Sequence, residues 1–270
     1  KETYEGLVRK ILGAAWNPAV LLVHNVFYHN GANAQVMHAA IGRHYDLPSV
    51  SMQNSIYPEV VAGRIENRAI TPDDLHPNDE GHALVASVIT YFLEQVRSGK
   101  LTGSNASFAL GAKLPVPLTK NAYEDSVRIR NAAAPDMAGL QQPTLDGFTP
   151  DETAQNEITD CFRYGWTAKK TGDAITFLVE GSCIAVQYRK SVKLPAPVAL
   201  AVVDDDTEHA VRLDANFDET WGDKLELATL LEHGKEGRHI VTIRLAETHE
   251  DDAVPFYLVS VIATGRRGRD

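Results

Sequence analysis

The chain's 270 residues include 44% hydrophobic and 23% charged side chains, a balance that excludes chain-wide disorder and leaves room for two modest domains or one large one. Acidic residues outnumber basic ones 36 to 26, and the net charge of −10 repels a polyanion, so nucleic acid is not an expected partner. No apolar run is long enough to span a bilayer and no basic-then-apolar signal segment stands among the first residues, so no membrane span is expected and the compartment stays open.

In chain order, Tyr4, Leu7, Val8, Ile11 and Leu12 fall at helical spacing before Gly13, which predicts a helix over 4–12. Ala19-Val20-Leu21-Leu22-Val23 is a continuous apolar run suited to a parallel strand buried on both faces. Helical spacing returns over 31–45 and stops at Leu47-Pro48, and Ser49-Val50-Ser51-Met52 reads as a second strand. Strand, helix and strand with short connections imply a right-handed parallel crossover. Residues 57–72 read as irregular. Asn78 then caps a helix running to about Val96, with Leu84, Val85, Val88, Ile89, Leu93 and Val96 as its core-facing stripe.

Residues 99–155 are punctuated by Gly99, Gly103, Gly111, Pro115, Pro117, Pro135, Pro143 and Pro150, and read as a connector that packs against its neighbours, with a strand over 127–130 belonging to the strand-rich C-terminal half. Beyond Phe162 the pattern is strands and turns. Residues 174–180 and 183–188 alternate about Gly181-Ser182 and read as a hairpin, and further runs at 197–203, 210–213, 224–231, 239–245 and 256–263 complete an antiparallel β-sandwich.

The stretch Asp73-Asp74-Leu75-His76-Pro77-Asn78 carries the chemistry. A carboxylate three residues before a histidine, in a loop at a helix entrance, is placed to orient the imidazole as a general base. A capping role alone is the competing reading, and Asp74 the alternative partner. His24, His29, His38 and His44 read as scattered half-buried side chains rather than a metal set, and His82 as packing or capping. Ser104, preceded by Gly103, lacks the strand-to-turn setting of a nucleophile, and no Gly-x-Ser-x-Gly elbow occurs. Cys161 and Cys183 read as buried apolar side chains, with one disulfide between strands left open. Asp204-Asp205-Asp206 reads as a solvated hairpin tip rather than a calcium loop, and the tail Arg266-Arg267-Gly268-Arg269 as a solvated terminus. Trp166 reads as core, whereas Trp221 is either core or a platform for a sugar ring.

The stretch from Thr71 to His82, with its preceding strand-helix-strand, resembles the closing block of SGNH (GDSL-type) hydrolases, and the later strands are similar to jelly-roll domains attached to carbohydrate esterases. The resemblance implies a fold of class α/β (partial flavodoxin-like three-layer α/β/α) over 1–98, the connector over 99–155, and an antiparallel β-sandwich (jelly-roll-like) over 156–265. It implies His76 as general base and Asp73 as its orienting carboxylate, acting on a small-molecule or carbohydrate ester, with no cofactor and no metal. The family's Gly-Asp-Ser nucleophile block and its oxyanion-donating Gly and Asn positions are not found here. An N-terminally incomplete chain, silent as a catalyst by itself, is therefore expected. A second reading makes the protein a glycan-binding or structural protein that uses the β-sandwich. Oligomeric state stays open.

Overall fold

Glu2 and Glu5 in the first turn and Arg9 and Lys10 in the last give helix α1 (Glu2–Leu12) the charge order that a helix dipole favours. Its buried face is partly polar, because Glu5, Gly6, Val8 and Arg9 all turn inward. Val8 joins Ile41 and Tyr45 in a small apolar cluster, while Glu5 and Arg9 tie down residues 113–124. Glu5 accepts hydrogen bonds from the Tyr45 hydroxyl (2.7 Å), the amides of Leu118 (2.7 Å) and Thr119 (2.8 Å), and the Thr119 hydroxyl (2.5 Å). Burial pushes the Glu5 carboxyl up, but these donors outweigh it and leave the group below the ordinary range. Arg9 pairs with Glu124 at 2.7 Å and donates to the Pro115 carbonyl at 2.7 Å.

The computed structural model describes residues 1–101, 113–134, 141–153 and 161–265, and the chain divides into two compact units, Lys1–Glu124 and Asp125–Asp270. In the first unit, β1 (Leu22–His24) and β2 (Ser49–Ser51) pair in parallel with Leu22 opposite Ser49, and α2 (Gln35–His44) lies between them in sequence. This is the expected strand-helix-strand order, although β1 starts three residues later than the apolar run does. The stretch expected to be irregular contains two short helices, α3 (Ile56–Val61) and α4 (Asn67–Ile70). Both are too short for a period of 3.6 to register. Helix α5 (Asp79–Arg97) packs Leu84, Val85, Val88, Ile89 and Phe92 on the cluster of Val26, Tyr28, Val50, Met52, Ile56 and Ile70. The expected stripe ends there: Leu93 and Val96 are exposed, because α5 outruns the surface it packs on.

In the second unit, the chain forms β3 (Val127–Ile129), β4 (Thr144–Asp146), β5 (Thr149–Pro150), β6 (Trp166–Ala168), β7 (Ala174–Gly181), β8 (Cys183–Lys190), β9 (Val198–Val203), β10 (Val211–Asp214), β11 (Lys224–Leu231), β12 (Gly237–Glu247) and β13 (Phe256–Thr264). One antiparallel sheet has the order β10-β9-β12-β7-β4; the other has β11-β8-β13-β6-β5, with β3 also on β13. This is the β-sandwich that the strand spacing predicts.

One local expectation fails. β7 and β8 are not a hairpin: β7 pairs with β12 and β4, whereas β8 pairs with β11 and β13 in the opposite sheet. Their alternation is real, and Ile175, Phe177 and Val179 of β7 and Ile184, Val186 and Tyr188 of β8 are all core residues. Because the chain crosses between sheets at Gly181-Ser182, those two apolar faces meet across the core instead of lying side by side. The crossing is tight, since a Cβ at Gly181 would stand 2.6 Å from the Thr264 carbonyl oxygen.

Candidate active site

The loop between α4 and α5 is held by hydrogen bonds from both helices and from the segment after β1. Asn78 caps α5 by accepting the Gly81 amide at 3.0 Å, and it ties α5 back to α4 through its amide to the Ile70 carbonyl (3.0 Å) and its Nδ2 to the Ala69 carbonyl (2.9 Å). Asp79 and Glu80 lie in the first turn, where negative charge is favourable. Gly81 is required by proximity, because a Cβ there would lie 2.3 Å from the Ile70 carbonyl oxygen and 2.9 Å from Pro77 Cβ. From the segment after β1, the Tyr28 amide donates to the Asp74 carbonyl at 2.8 Å and Asn25 Nδ2 to the Leu75 carbonyl at 3.2 Å.

Within this frame the two carboxylate oxygens of Asp73 do different things. Oδ1 accepts the amides of Leu75 (3.2 Å) and His76 (2.8 Å), closing the turn, while Oδ2 faces His76 Nδ1 at 2.6 Å. The hydrogen bond from His76, followed by those backbone amides, holds the Asp73 carboxyl down at about 2. Asp73 is therefore ionised across the neutral range and fixes the tautomer with hydrogen on Nδ1, which leaves Nε2 free of Asp73 and able to accept a proton. The His76 side chain is 76% exposed, so solvent can reach it. Asp74, the alternative partner, instead binds Asn67 and Arg68.

The crystal structure of a two-domain esterase (CEX) active on acetylated mannans, co-crystallized with mannopentaose, superposes with a TM-score of 0.89 at 63% identity, covering 100% of this chain and 68% of that one. A second crystal structure of a two-domain esterase (CEX) active on acetylated mannans gives 0.88 at 64% identity, covering 99% and 69%. The chain belongs to this two-domain carbohydrate esterase family. No protein-family model and no curated protein matches it.

The remaining histidines of this esterase are spread out. His38 stacks on Tyr4 at 3.8 Å, with buried His24 tilted against it at 6.4 Å. His44 Nε2 meets the Val116 carbonyl at 2.7 Å, and His29 stands 3.8 Å from Asp74. The His82 side chain is exposed rather than packed. Among the described residues no group of three His, Cys, Asp or Glu is arranged to hold a metal ion, no disulfide joins exposed Cys161 to buried Cys183, and no helix is long and apolar enough to cross a membrane. Ser104, the tail at 266–269 and parts of the 99–155 connector lie outside the described residues.

In the β-sandwich, Trp166 is buried edge-on to Phe177 at 5.2 Å. Trp221 is 65% exposed and stands edge-on to Phe217 at 5.1 Å, on a loop anchored by Asp223, whose Oδ1 accepts the Ser191 hydroxyl (2.8 Å) and the Val192 amide (3.1 Å). The aspartate triplet forms a turn with Asp204 and Asp205 at positive φ. Asp204 holds His239 and Asp206 holds His209. The Asp206–His209 pair repeats the three-residue spacing and the carboxylate-to-Nδ1 contact (2.8 Å) of Asp73–His76. Spacing alone does not single out Asp73–His76, since Asp79–His82 and Asp206–His209 share it. What sets Asp73–His76 apart is its setting, namely the grip of Asn67 and Arg68 and the tethers from Asn25 and Tyr28, none of which leaves a pattern in the sequence.

Proposed function

We propose that the protein is a serine esterase of the SGNH (GDSL) type that removes acetyl groups from a mannan-like carbohydrate, with His76 as general base, Asp73 as its orienting carboxylate, and the attacking serine supplied from outside these 270 residues. The single observation that carries the reading is the 2.6 Å contact of Asp73 Oδ2 with His76 Nδ1, in a loop whose ends and middle are all tied down. His76 Nε2 takes the proton of the serine hydroxyl as the oxygen attacks the acetyl carbonyl, and the ionised Asp73 stabilises the imidazolium that forms. As the tetrahedral intermediate collapses, the same proton passes to the sugar oxygen that leaves, and a water repeats the sequence to free acetate. The acetylated mannans acted on by the 63%-identical esterase favour this substrate class. In the full-length protein, His76→Ala should lower kcat on an acetylated mannan roughly a hundredfold or more, the typical worth of a positioned general base. Turnover within a few fold of wild type would refute the assignment.

Trp221 favours a second, compatible reading in which the β-sandwich holds the glycan. It is a large apolar ring held in solvent on an anchored loop, a surface that suits the apolar face of a pyranose. Trp221→Ala should weaken retention of the protein on mannan without changing hydrolysis of a small acetyl ester; unchanged retention removes Trp221 from the reading.

A further inference from the structure

Between the two proposed catalytic residues lies a residue in a costly conformation. Asp74 has φ +72°, in the left-handed region that residues other than glycine seldom occupy and that Asp and Asn tolerate best. Its carbonyl and both carboxylate oxygens accept hydrogen bonds. Its carbonyl accepts the Tyr28 amide at 2.8 Å, its Oδ1 accepts Asn67 Nδ2 at 2.5 Å, and its Oδ2 accepts Arg68 Nη2 at 3.0 Å, with His29 Nδ1 3.8 Å away. Arg68 also donates to the Pro72 carbonyl at 2.6 Å, and Asn67 Oδ1 accepts the Thr71 hydroxyl at 2.9 Å, so the one-turn helix α4 grips the chain on both sides of Asp73. The Asp206–His209 pair supplies an internal comparison: its intervening residues form a 3-10 turn, Thr207–His209, with no left-handed residue between the partners.

We propose that Asp74 is a positioning residue, whose left-handed backbone and anchored carboxylate hold Asp73 and His76 in the geometry that the proton transfer needs. The inference rests on the reading of His76 as general base. A strained conformation persists only where surrounding contacts enforce it, and a catalytic pair displaced by about 1 Å loses rate far more than binding. The side chain therefore acts on the chemical step through Asp73.

The test compares Asp74→Ala, Asp74→Asn and His76→Ala in the full-length protein on an acetylated mannan. Asp74→Ala should lower kcat roughly ten- to a hundredfold with KM within about twofold, and Asp74→Asn, which keeps the left-handed tolerance and the bond from Asn67, should recover kcat to within about threefold of wild type. In the 270-residue chain, NMR of the His76 ring should show the Nδ1 proton exchanging faster with solvent in Asp74→Ala than in wild type. Wild-type kcat and ring exchange in Asp74→Ala overturn the inference, and so does a loss that Asp74→Asn fails to restore. If His76→Ala is as active as wild type, the general-base reading itself has failed; if only Asp74→Ala is, the positioning role alone has.

Discussion

Asp73 shows how much one side chain can settle. With one oxygen on two backbone amides and the other on an imidazole, it shapes the turn and fixes the tautomer together. The spacing that permits this is legible in the sequence, because three residues is the reach of an aspartate that closes a turn on itself. The surroundings are not legible there, since Asn25, Tyr28, Asn67 and Arg68 act from other segments. The two tryptophans divide in the same way. Trp166 at 1% exposure should cost about 3 to 5 kcal/mol when changed to Ala, whereas Trp221→Ala should stay within about 0.5 kcal/mol in chemical denaturation. Equal losses would contradict the placement of both rings.

Elements are most legible where they are long. Helix α5 shows itself in its cap and its stripe, β12 in its alternation and β13 in its almost unbroken apolar run, whereas α3 and α4 lie below the length at which a period can be counted. The β7–β8 crossing escapes for a different reason: a turn signal does not say which sheet the chain enters next, and that choice is made by where the two apolar faces can meet. Two substitutions test these packing arguments. Gly81→Ala should gain up to about 1 kcal/mol in helix propensity yet lower the Tm, because overpacking against the Ile70 carbonyl and Pro77 costs about 1 to 3 kcal/mol. A raised Tm would contradict the close approach. Arg9→Ala strips the buried partner from Glu124 and should destabilise the first unit by about 3 to 5 kcal/mol. A cost under about 1 kcal/mol would mean that residues 113–124 are held by other contacts.

The two units carry histidines of opposite sign. In the first, burial and then neighbouring His38 lower His24 below the ordinary 6.5, and burial lowers His38 as well. Both are favoured neutral, so their share of stability is present above pH 6.5 and is lost as the pH falls below it. In the second, burial pulls His239 down, but the Asp204 hydrogen bond at 2.6 Å and the Lys235 carbonyl at 2.8 Å lift it above 6.5. Its share is complete below 6.5 and is lost as the pH rises through the raised value. Amide exchange followed from pH 5.5 to 8 should therefore show the first unit losing protection toward acid and the second toward alkali, with the alkaline slope abolished by His239→Gln. Parallel slopes in the two units would contradict the assignment. The central claim, that His76 and Asp73 act as one proton-relaying pair, is tested most directly by a double-mutant cycle on kcat in the full-length esterase. Residues that work as a unit give a double variant, His76→Ala with Asp73→Asn, no slower than His76→Ala alone. Losses that multiply would mean that the two side chains act separately.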